Sequence, residues 1–313
     1  MIDFKAMKAR SKNDFKILSE KVEKLSENKF QKDQRFWELT VDKAGNGYAI
    51  IRFLPTLENE EVPFVFYWDH GFKGPTGQWY IELSRTTLKD ESGNSQPDPV
   101  SEYNTMRWNE KDDDDAPGRK FVRGTPGNPG AKRRLHYISN IYVVEDPANP
   151  ANNGKVFLFR YGKKIYNLLD GAMHPKLPTR KAFNPFNFWD GANFVLAAIK
   201  KDGYRNYDSE SRFDTCGPLA DDETMEKIYG SQYPLLPFVA PEKFKSYEEL
   251  QRKFNRVMSL NVSGPSTLEE APMVPQQQPK AAPVLPVEDD TPPWESNDES
   301  DPDLAVFQKM ATD

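Results

Sequence analysis

The chain has 313 residues, of which 37% are hydrophobic, and it carries a net charge of −6 at pH 7. This length allows one large domain with appendages or two small domains, and the mean hydropathy of −0.78 is low for a fully globular protein. No apolar run approaches the roughly 20 residues of a membrane-spanning helix, and the first residues lack the apolar segment of a secretory signal. The single cysteine, Cys216, excludes an internal disulfide and a cysteine-rich zinc site, and three histidines argue against most metal sites. We therefore expect a cytoplasmic protein.

Charge is distributed unevenly along the chain. Residues 1–35 carry a net charge of +4, residues 264–313 a net charge of −9, and the segment between them −1. This pattern predicts a basic arm, a balanced body and an acidic tail, with ends that interact electrostatically. The pI near 5.4 argues only weakly against nucleic-acid binding, because the acidic excess is confined to the tail.

The basic arm leads into a predicted helix. Ser11 and Asp14 form a helix start signal. Apolar residues then recur at spacings of three and four, which places them on one narrow helical face. They are Phe15, Leu18, Val22 and Leu25. This face is too small to fold alone, so the helix docks either on the body of its own chain or on a neighbouring copy.

The body begins near Phe36 with a series of predicted β-strands. Residues 37–41 and 48–54 indicate two strands around a turn that contains Asn46-Gly47, the strongest hairpin dipeptide. Aromatic and β-branched residues dominate the further predicted strands. These are residues 62–68, 78–83, 136–144, 155–161 and 192–199. Short strands with turn-rich spacers favour a small barrel or sandwich over a doubly wound α/β fold.

Residues 84–131 interrupt the series of strands. They lack clear periodicity, contain many Gly and Pro residues and include an acidic run at 112–115. This composition predicts a long loop or an irregular inserted subdomain. The body then closes with a helix, for which Ser246 and Glu249 form a capping box.

The composition changes again after residue 263. The tail contains nine prolines and eleven acidic residues, so it cannot bury a core and is expected to be disordered. Near its end, residues 301–310 are compatible with one or two helical turns that start at Asp301 and Pro302. This segment is either a docking motif for partner proteins or a solvated terminus.

Interleaved basic and aromatic residues are the most informative chemical feature of the body. Single-stranded nucleic acid needs this pairing, because cations neutralise phosphates while flat rings stack on unpaired bases. The alternative is that the tyrosines belong to the core and the basic side chains are ordinary surface charges. The clusters are 132–134 with Tyr137, 160–164 with Tyr166, and 204–207 followed by Arg212 and Phe213.

Two other functions stay open at this stage. The run Asp112–Asp115 could bind divalent metal as in a nuclease, although adjacent residues of one loop do not converge as ligands on separate strands do. The chain could also be a protein-interaction adaptor whose body has lost nucleic-acid binding. Cys216 has no base beside it, which is typical of a thiol without a catalytic role.

Taken as a set, several stretches give the chain a specific resemblance. The stretches are Ala44–Pro55, His70–Phe72, Trp79–Glu82, Asn140–Val144 with Asp146-Pro147, Gly154–Phe157, Arg160–Ile165, Trp189–Leu196, Asn206–Asp208 and Lys243–Leu250. With them the chain resembles the single-stranded DNA-binding (helix-destabilising) proteins of T4-type bacteriophages, colinearly over about residues 36–258.

The resemblance implies a mainly β, α+β fold with an OB-fold core at residues 36–258, which carries the insertion at 84–131. It implies non-catalytic, sequence-independent and cooperative binding of single-stranded DNA in phage replication, recombination and repair, in the cytoplasm of the infected bacterial host. The arm, residues 1–35, is then the self-association segment. The tail, residues 259–313, is expected to recruit phage replication, recombination and repair proteins and to cover the cleft when DNA is absent.

The resemblance also implies which residues contact DNA and which mediate self-association. The DNA-binding set is Lys132, Arg133, Arg134, Tyr137, Arg160, Tyr161, Lys163, Lys164, Tyr166, Tyr204 and Tyr207, joined by Tyr103 and Trp108 through a looser alignment. The self-association motif is matched roughly at Lys8, Arg10 and Ser11.

The chain departs from this family in its metal ligands. Well-known members hold zinc with one His and three Cys in the inserted subdomain. Here His70 is kept, but the thiolate positions are Ser84, Asp98 and Ser101. Structural zinc needs mostly Cys or His ligands, so we predict no zinc and no other cofactor. The insertion is then stabilised by packing or stays loose until DNA binds.

Overall fold

The computed structural model of the chain describes residues 33–125, 128–201, 204–207 and 210–260. The chain divides into two compact units, residues 1–37 and residues 38–313. In the described part of the first unit, Asp33 and Arg35 form an ion pair at 2.7 Å. The helix predicted for the arm, the self-association residues and the acidic tail lie outside the described residues.

The described elements are eleven β-strands and five α-helices, besides short 3-10 turns. The strands are β1 (Phe36–Trp37), β2 (Gly47–Phe53), β3 (Phe64–Lys73), β4 (Trp79–Leu83), β5 (Gly124–Thr125), β6 (Asn128–Pro129), β7 (Arg134–Glu145), β8 (Val156–Tyr161), β9 (Ala192–Lys201), β10 (Tyr204–Asn206) and β11 (Arg212–Cys216). The α-helices are α1 (Pro99–Asn109), α2 (Pro117–Arg123), α3 (Lys163–Met173), α4 (Asp222–Gly230) and α5 (Tyr247–Met258).

Strand β7 organises an antiparallel sheet in the second unit. One edge of β7 pairs with β8, and the other edge pairs first with β3 and then with β2. Strand β9 continues the sheet beyond β2 and pairs with β10 and β11. Strand β4 extends it beyond β3. The fold is therefore a mixture of α and β structure with a β-sheet core, as the sequence indicates.

Aromatic rings fill the core of this sheet. Phe53 is fully buried and its ring contacts those of Phe159, Tyr161, Phe186 and Phe194 at centroid distances of 5.5–6.4 Å. Burial of such large apolar rings stabilises the sheet, because each removes about 150–250 Å² from water. The alternating aromatic pattern of the sequence thus places these residues in the interior.

The first predicted hairpin differs from the structure. Strand β2 forms as expected, but residues 38–46 contain no strand. Instead the Asp42 carboxylate accepts hydrogen bonds from the backbone of Ala44 and Asn46 at 2.8 and 2.9 Å, and Gly45 adopts a positive φ of 84°. A loop closed by the Asp42 side chain replaces the tight Asn-Gly turn. The Asp42 carboxylate gives these backbone N–H groups a hydrogen-bond partner other than a neighbouring strand.

The expectation of irregular structure throughout residues 84–131 is wrong for two segments, which form α1 and α2. The Asp98 carboxylate starts α1 by accepting hydrogen bonds from the backbone of Val100 and Ser101, at 3.1 and 3.0 Å. Pro99 occupies the first helical position, where its missing N–H costs nothing. The helix lacks an apolar periodicity, so the pattern of the sequence could not reveal it.

Helix α5 confirms its predicted start and covers the inserted helices. The Ser246 hydroxyl accepts from the Glu249 backbone at 3.2 Å, and the Glu249 carboxylate accepts from the Ser246 backbone at 3.0 Å. Its buried face packs with strands β3 and β4 and with α1 in one hydrophobic cluster. This cluster contains Phe72, Tyr80, Val100, Ala131, Leu250, Phe254 and Val257. None of the described helices is both long enough and apolar enough to cross a bilayer.

Candidate nucleic-acid interface

Three of the tyrosines in the predicted DNA-binding set stack on one another. Tyr137 of β7 pairs directly with Tyr161 of β8, and their rings lie 5.5 Å apart at 14°. Tyr166, on the first turn of α3, lies parallel to Tyr137 at 4.3 Å and 6°. The edge of Phe64 closes this stack against Tyr137 and Tyr166 at 5.9 and 5.7 Å. We call the four residues the aromatic stack.

The members of the aromatic stack differ in exposure. Tyr161 is 3% exposed, and its hydroxyl hydrogen-bonds Ser139 at 2.9 Å, so it supports the stack from the interior. Tyr137 is 7% exposed, and burial together with the neighbouring Tyr166 hydroxyl raises its pKa to about 12. Tyr166 is half-buried and forms the outer end. A base reaches Tyr166 more easily than the two rings beneath it.

A row of aromatics on β3, not recognised in the sequence, continues the stack. Phe64, Phe66 and Trp68 share one face of β3, because side chains alternate along a strand. Phe66 lies directly across from Tyr137, with a centroid distance of 6.2 Å. The signal was present as alternate aromatics in residues 62–68, but the same pattern is typical of a buried strand.

Two lysines lie beside the outer end of the stack. Lys163 and Lys164 start α3, three and two residues before Tyr166, and both are half-buried. The first turn of α3 contains no acidic side chain. Its N-cap residue is Gly162, which has no side chain to accept hydrogen bonds from the N–H groups of that turn. The positive end of a helix and two ammonium groups together favour a phosphate at this position.

The basic run at 132–134 divides between two faces of the sheet. The Arg133 guanidinium lies over the ring of Trp68 at 4.3 Å, which places it at the end of the aromatic row. Arg134 instead donates to the Asp69 carboxylate at 2.8 Å. A side chain at Gly71 would collide with the Arg134 guanidinium, so the missing side chain makes room for it. Lys132 is half-buried at the start of the run.

Arg160 also belongs to the face opposite the aromatic stack. It neighbours Tyr161 in β8, so the two side chains point to opposite sides of the sheet. Arg160 is exposed and accompanies Tyr67 as a hydrogen-bond partner. Burial raises the pKa of Tyr67, and the contact with Arg160 reduces this increase. On the same face, Asp69 lies 3.2 Å from His136. Burial raises the pKa of Asp69, but His136 and Arg134 outweigh it and lower the pKa to about 2.

The two residues assigned through the looser alignment lie in the helical region. Tyr103 of α1 packs its ring against Phe254 and Phe121 at 5.0 and 5.6 Å. Trp108 is 1% exposed, and the guanidinium groups of Arg119 and Arg123 each lie 5.0 Å from its ring. The structure therefore does not bring these rings together with the aromatic stack.

The third cluster of the sequence is only partly described. Tyr204 belongs to β10, which pairs with the end of β9, and Tyr207 follows that strand as a half-buried residue. Their contribution to DNA binding stays a prediction.

A buried polar cluster occupies the positions aligned with the family's zinc ligands. His70 Nδ1 lies 2.9 Å from the Ala131 carbonyl, and its Nε2 lies 3.2 Å from Asp98 Oδ1 and 3.3 Å from Ser101 Oγ. Burial raises the pKa of Asp98, but hydrogen bonds and charge from His70 and the Ser101 and Arg85 backbone outweigh it, so the pKa is lowered. The fourth aligned residue, Ser84, hydrogen-bonds Thr86 at 3.0 Å.

The acidic run Asp112–Asp115 is engaged in ion pairs with α2. Arg119 contacts Asp112 at 2.6 Å and Asp114 at 3.1 Å. The remaining pairs join Asp114 to Arg123 and Asp115 to Lys120. Within the described residues, no group of three or more His, Cys, Asp or Glu side chains is placed to hold a metal ion.

Comparison with known proteins identifies the family. Residues 45–258 match a family described as gp32 DNA binding protein like. The chain is 37% identical over 255 residues to the single-stranded DNA-binding protein of Enterobacteria phage T4, covering 79% of this chain and 78% of that protein. It is 36% identical over 256 residues to the protein of the same name from Enterobacteria phage T2, with the same coverage. A shorter match, 43% identical over 76 residues, covers 23% of this chain and 66% of the single-stranded DNA-binding protein of Escherichia phage SV14. The chain therefore belongs to the gp32-like family of DNA-binding proteins.

Proposed function

We propose that the chain binds single-stranded DNA without catalysis and without sequence preference. The observation that carries the proposal is the aromatic stack with cations at its margin: Tyr166 and Tyr137 in parallel contact, Lys163 and Lys164 on the same helical turn, and Arg133 beside the β3 row. Rings stack on any base, and cations neutralise phosphates, so this combination needs no base-edge readout. The relatives from phages T4 and T2 carry the name of this function.

Titration with oligo-dT tests this proposal. Intrinsic fluorescence of the full chain is followed at two salt concentrations, with duplex DNA of equal length as the comparison ligand. We expect tight binding of oligo-dT that weakens as salt rises, because bound cations release counterions from the strand. Absence of salt-sensitive binding to the single strand would reject the function.

The finer features of the family are part of the same proposal. An OB-type barrel is supported by the way β7 pairs with β8 on one edge and with β3 and β2 on the other. We also propose cooperative binding through residues 1–35, partner recruitment through residues 259–313 and action in replication, recombination and repair within the infected bacterium. Family membership supports these features. Sedimentation with long and short oligonucleotides, before and after removal of residues 1–35, tests cooperativity.

We further propose that the inserted helices are held without zinc. Zinc favours Cys and His ligands in tetrahedral geometry. Here the only imidazole of the cluster already contacts a carbonyl through Nδ1, and the Asp98 carboxylate is already engaged by the backbone at the start of α1. Hydroxyls from Ser84 and Ser101 are weak zinc ligands. Hydrogen bonds among His70, Asp98 and Ser101 thus take the place of metal coordination.

No observation favours the other two functions. Three of the four carboxylates of the nuclease hypothesis, those of Asp112, Asp114 and Asp115, are paired with basic side chains of α2, which argues against a metal site there. Incubation of labelled single strands with magnesium or manganese tests this directly, and we expect intact strands. The adaptor hypothesis predicts that the double substitution of Arg133 and Lys163 by Glu leaves DNA affinity unchanged, whereas we expect a large loss.

A further inference from the structure

Phe66 is an exposed ring in a strand whose neighbouring residues are buried. Its side chain is 46% exposed, while Val65 and Tyr67 on either side are buried. Single exposed apolar residues are common on protein surfaces, so exposure alone carries no function. The surroundings of this ring distinguish it.

Phe66 is enclosed on two sides by residues of the candidate interface. Across the strand pair lies Tyr137, with ring centroids 6.2 Å apart and planes at 49°. Along the strand lies Trp68, about 6.6 Å away by strand geometry, with the Arg133 guanidinium over its ring at 4.3 Å. The exposed ring is therefore continuous with the aromatic stack and close to a cation.

We propose that Phe66 is a base-stacking residue of this interface, one that a base of single-stranded DNA reaches directly. The inference rests on the proposed function and names a contact within it. Tyr137 and Tyr161 are 7% and 3% exposed, so a base stacks on them only after their neighbours move, whereas Phe66 offers almost half of its surface. A phenyl ring has no hydrogen-bonding group, so it stacks on every base alike.

The same geometry assigns different tasks to the surrounding residues. Tyr137 supports Phe66 from across the strand pair. Arg133 over Trp68, and Lys163 and Lys164 beyond Tyr137, lie at the two ends where phosphates of the same strand would pass. This arrangement favours a polyanion that carries flat bases. The other occupant to be tested is a second copy of the chain, which would use Phe66 as an apolar contact.

The test compares three full-length variants, Phe66→Ala, Phe66→Leu and Phe66→Tyr, with the parent chain. Each is titrated with two ligands, oligo-dT and an abasic strand of the same length. Phe66→Ala is expected to weaken oligo-dT binding roughly 5- to 150-fold, since stacking contributes about 1–3 kcal/mol per base. Affinity for the abasic strand and the salt dependence should not change. Phe66→Leu keeps apolar volume but not the flat ring, so it should resemble the alanine variant, whereas Phe66→Tyr should keep most of the affinity.

Tyr48→Ala is the matched control, because Tyr48 is another exposed aromatic, 50% exposed, on β2 and paired with Ala197. It should bind both ligands as the parent chain does. Unchanged oligo-dT binding by Phe66→Ala, or an equal loss on both ligands, overturns the assignment. A change in the sedimentation of the DNA-free chain on Phe66→Ala would identify a contact between copies instead. If the parent chain fails to bind oligo-dT, the proposed function itself is rejected together with this contact.

Discussion

The ring of Tyr166 in α3 lies parallel to the ring of Tyr137 in β7, with centroids 4.3 Å apart. This contact joins a helix to the sheet at the turn that carries Lys163 and Lys164. Because the stack holds that turn in place, the two ammonium groups and the rings are positioned together. The relationship explains how Lys163, Lys164 and Tyr166, close in sequence, lie together at one end of the aromatic stack.

The two lysines of α3 should account for a measurable part of the salt dependence. Replacing Lys163 and Lys164 by Ala removes two phosphate contacts, so the slope of log Kobs against log salt should become shallower by about 1.4 for a single strand. The control is Lys227→Ala, which removes an exposed lysine of α4 that pairs with Glu223. An unaltered slope in the double variant would show that these lysines do not contact phosphate.

Tyr103 should matter first for stability. Its ring packs between Phe121 and Phe254, so Tyr103→Ala leaves a cavity in the cluster that joins α1 and α5. We expect the free energy of unfolding to fall by about 3 kcal/mol. Tyr103→Phe keeps the ring and should retain this stability. Chemical denaturation measures both variants, and a stable alanine variant with weakened DNA binding would instead support the role assigned from sequence.

Acid should destabilise the chain through Asp69. Its pKa is lowered to about 2 from an ordinary 3.8. A carboxylate with a lowered folded-state pKa stabilises the fold above the unfolded pKa, and this contribution is lost as pH falls from about 4 towards 2. The shift corresponds to about 2 kcal/mol. Thermal unfolding between pH 6 and pH 2 should show a smaller pH dependence for Asp69→Asn than for the parent chain. Asp214→Asn on β11 is the matched control, because it makes the same substitution at an exposed carboxylate.

The buried pair of His70 and Asp98 should behave as a structural tie that needs no metal. Asp98→Ala removes the carboxylate beside buried His70 together with the cap of α1, so it is expected to cost about 3–5 kcal/mol. A double replacement of both residues by apolar side chains should cost less than the single change. The parent chain should unfold at the same temperature with and without a chelator. Stoichiometric zinc in the purified protein, or a lower unfolding temperature after chelation, would contradict the zinc-free proposal.

Removal of residues 264–313 should tighten DNA binding at low salt. This segment carries a net charge of −9, which competes with phosphate for the cations of the interface. The gain should shrink as salt rises, because the competition is electrostatic. Equal affinities for the full-length and shortened chains at low salt would rule out a covering role for the tail.

Local patterns of the sequence predicted most of the long strands and the last helix. Alternating aromatic and β-branched residues located β2, β3, β7, β8 and β9, since that alternation reports a period of two along any strand. The capping box at Ser246 located α5, because a cap is a contact between residues three apart. The match of residues 45–258 confirmed the family that the quoted stretches had indicated.

Tertiary structure decided which of the candidate side chains meet. Arg160 and Tyr161 are adjacent in sequence but lie on opposite faces, whereas Phe66 and Tyr137 are 71 positions apart and lie side by side. Sequence alone indicated interleaved basic and aromatic residues on the predicted strands, because composition and spacing are local properties. Strand register, which depends on contacts between distant parts of the chain, determined that Tyr161 lies buried within the stack and that Phe66 is exposed beside it.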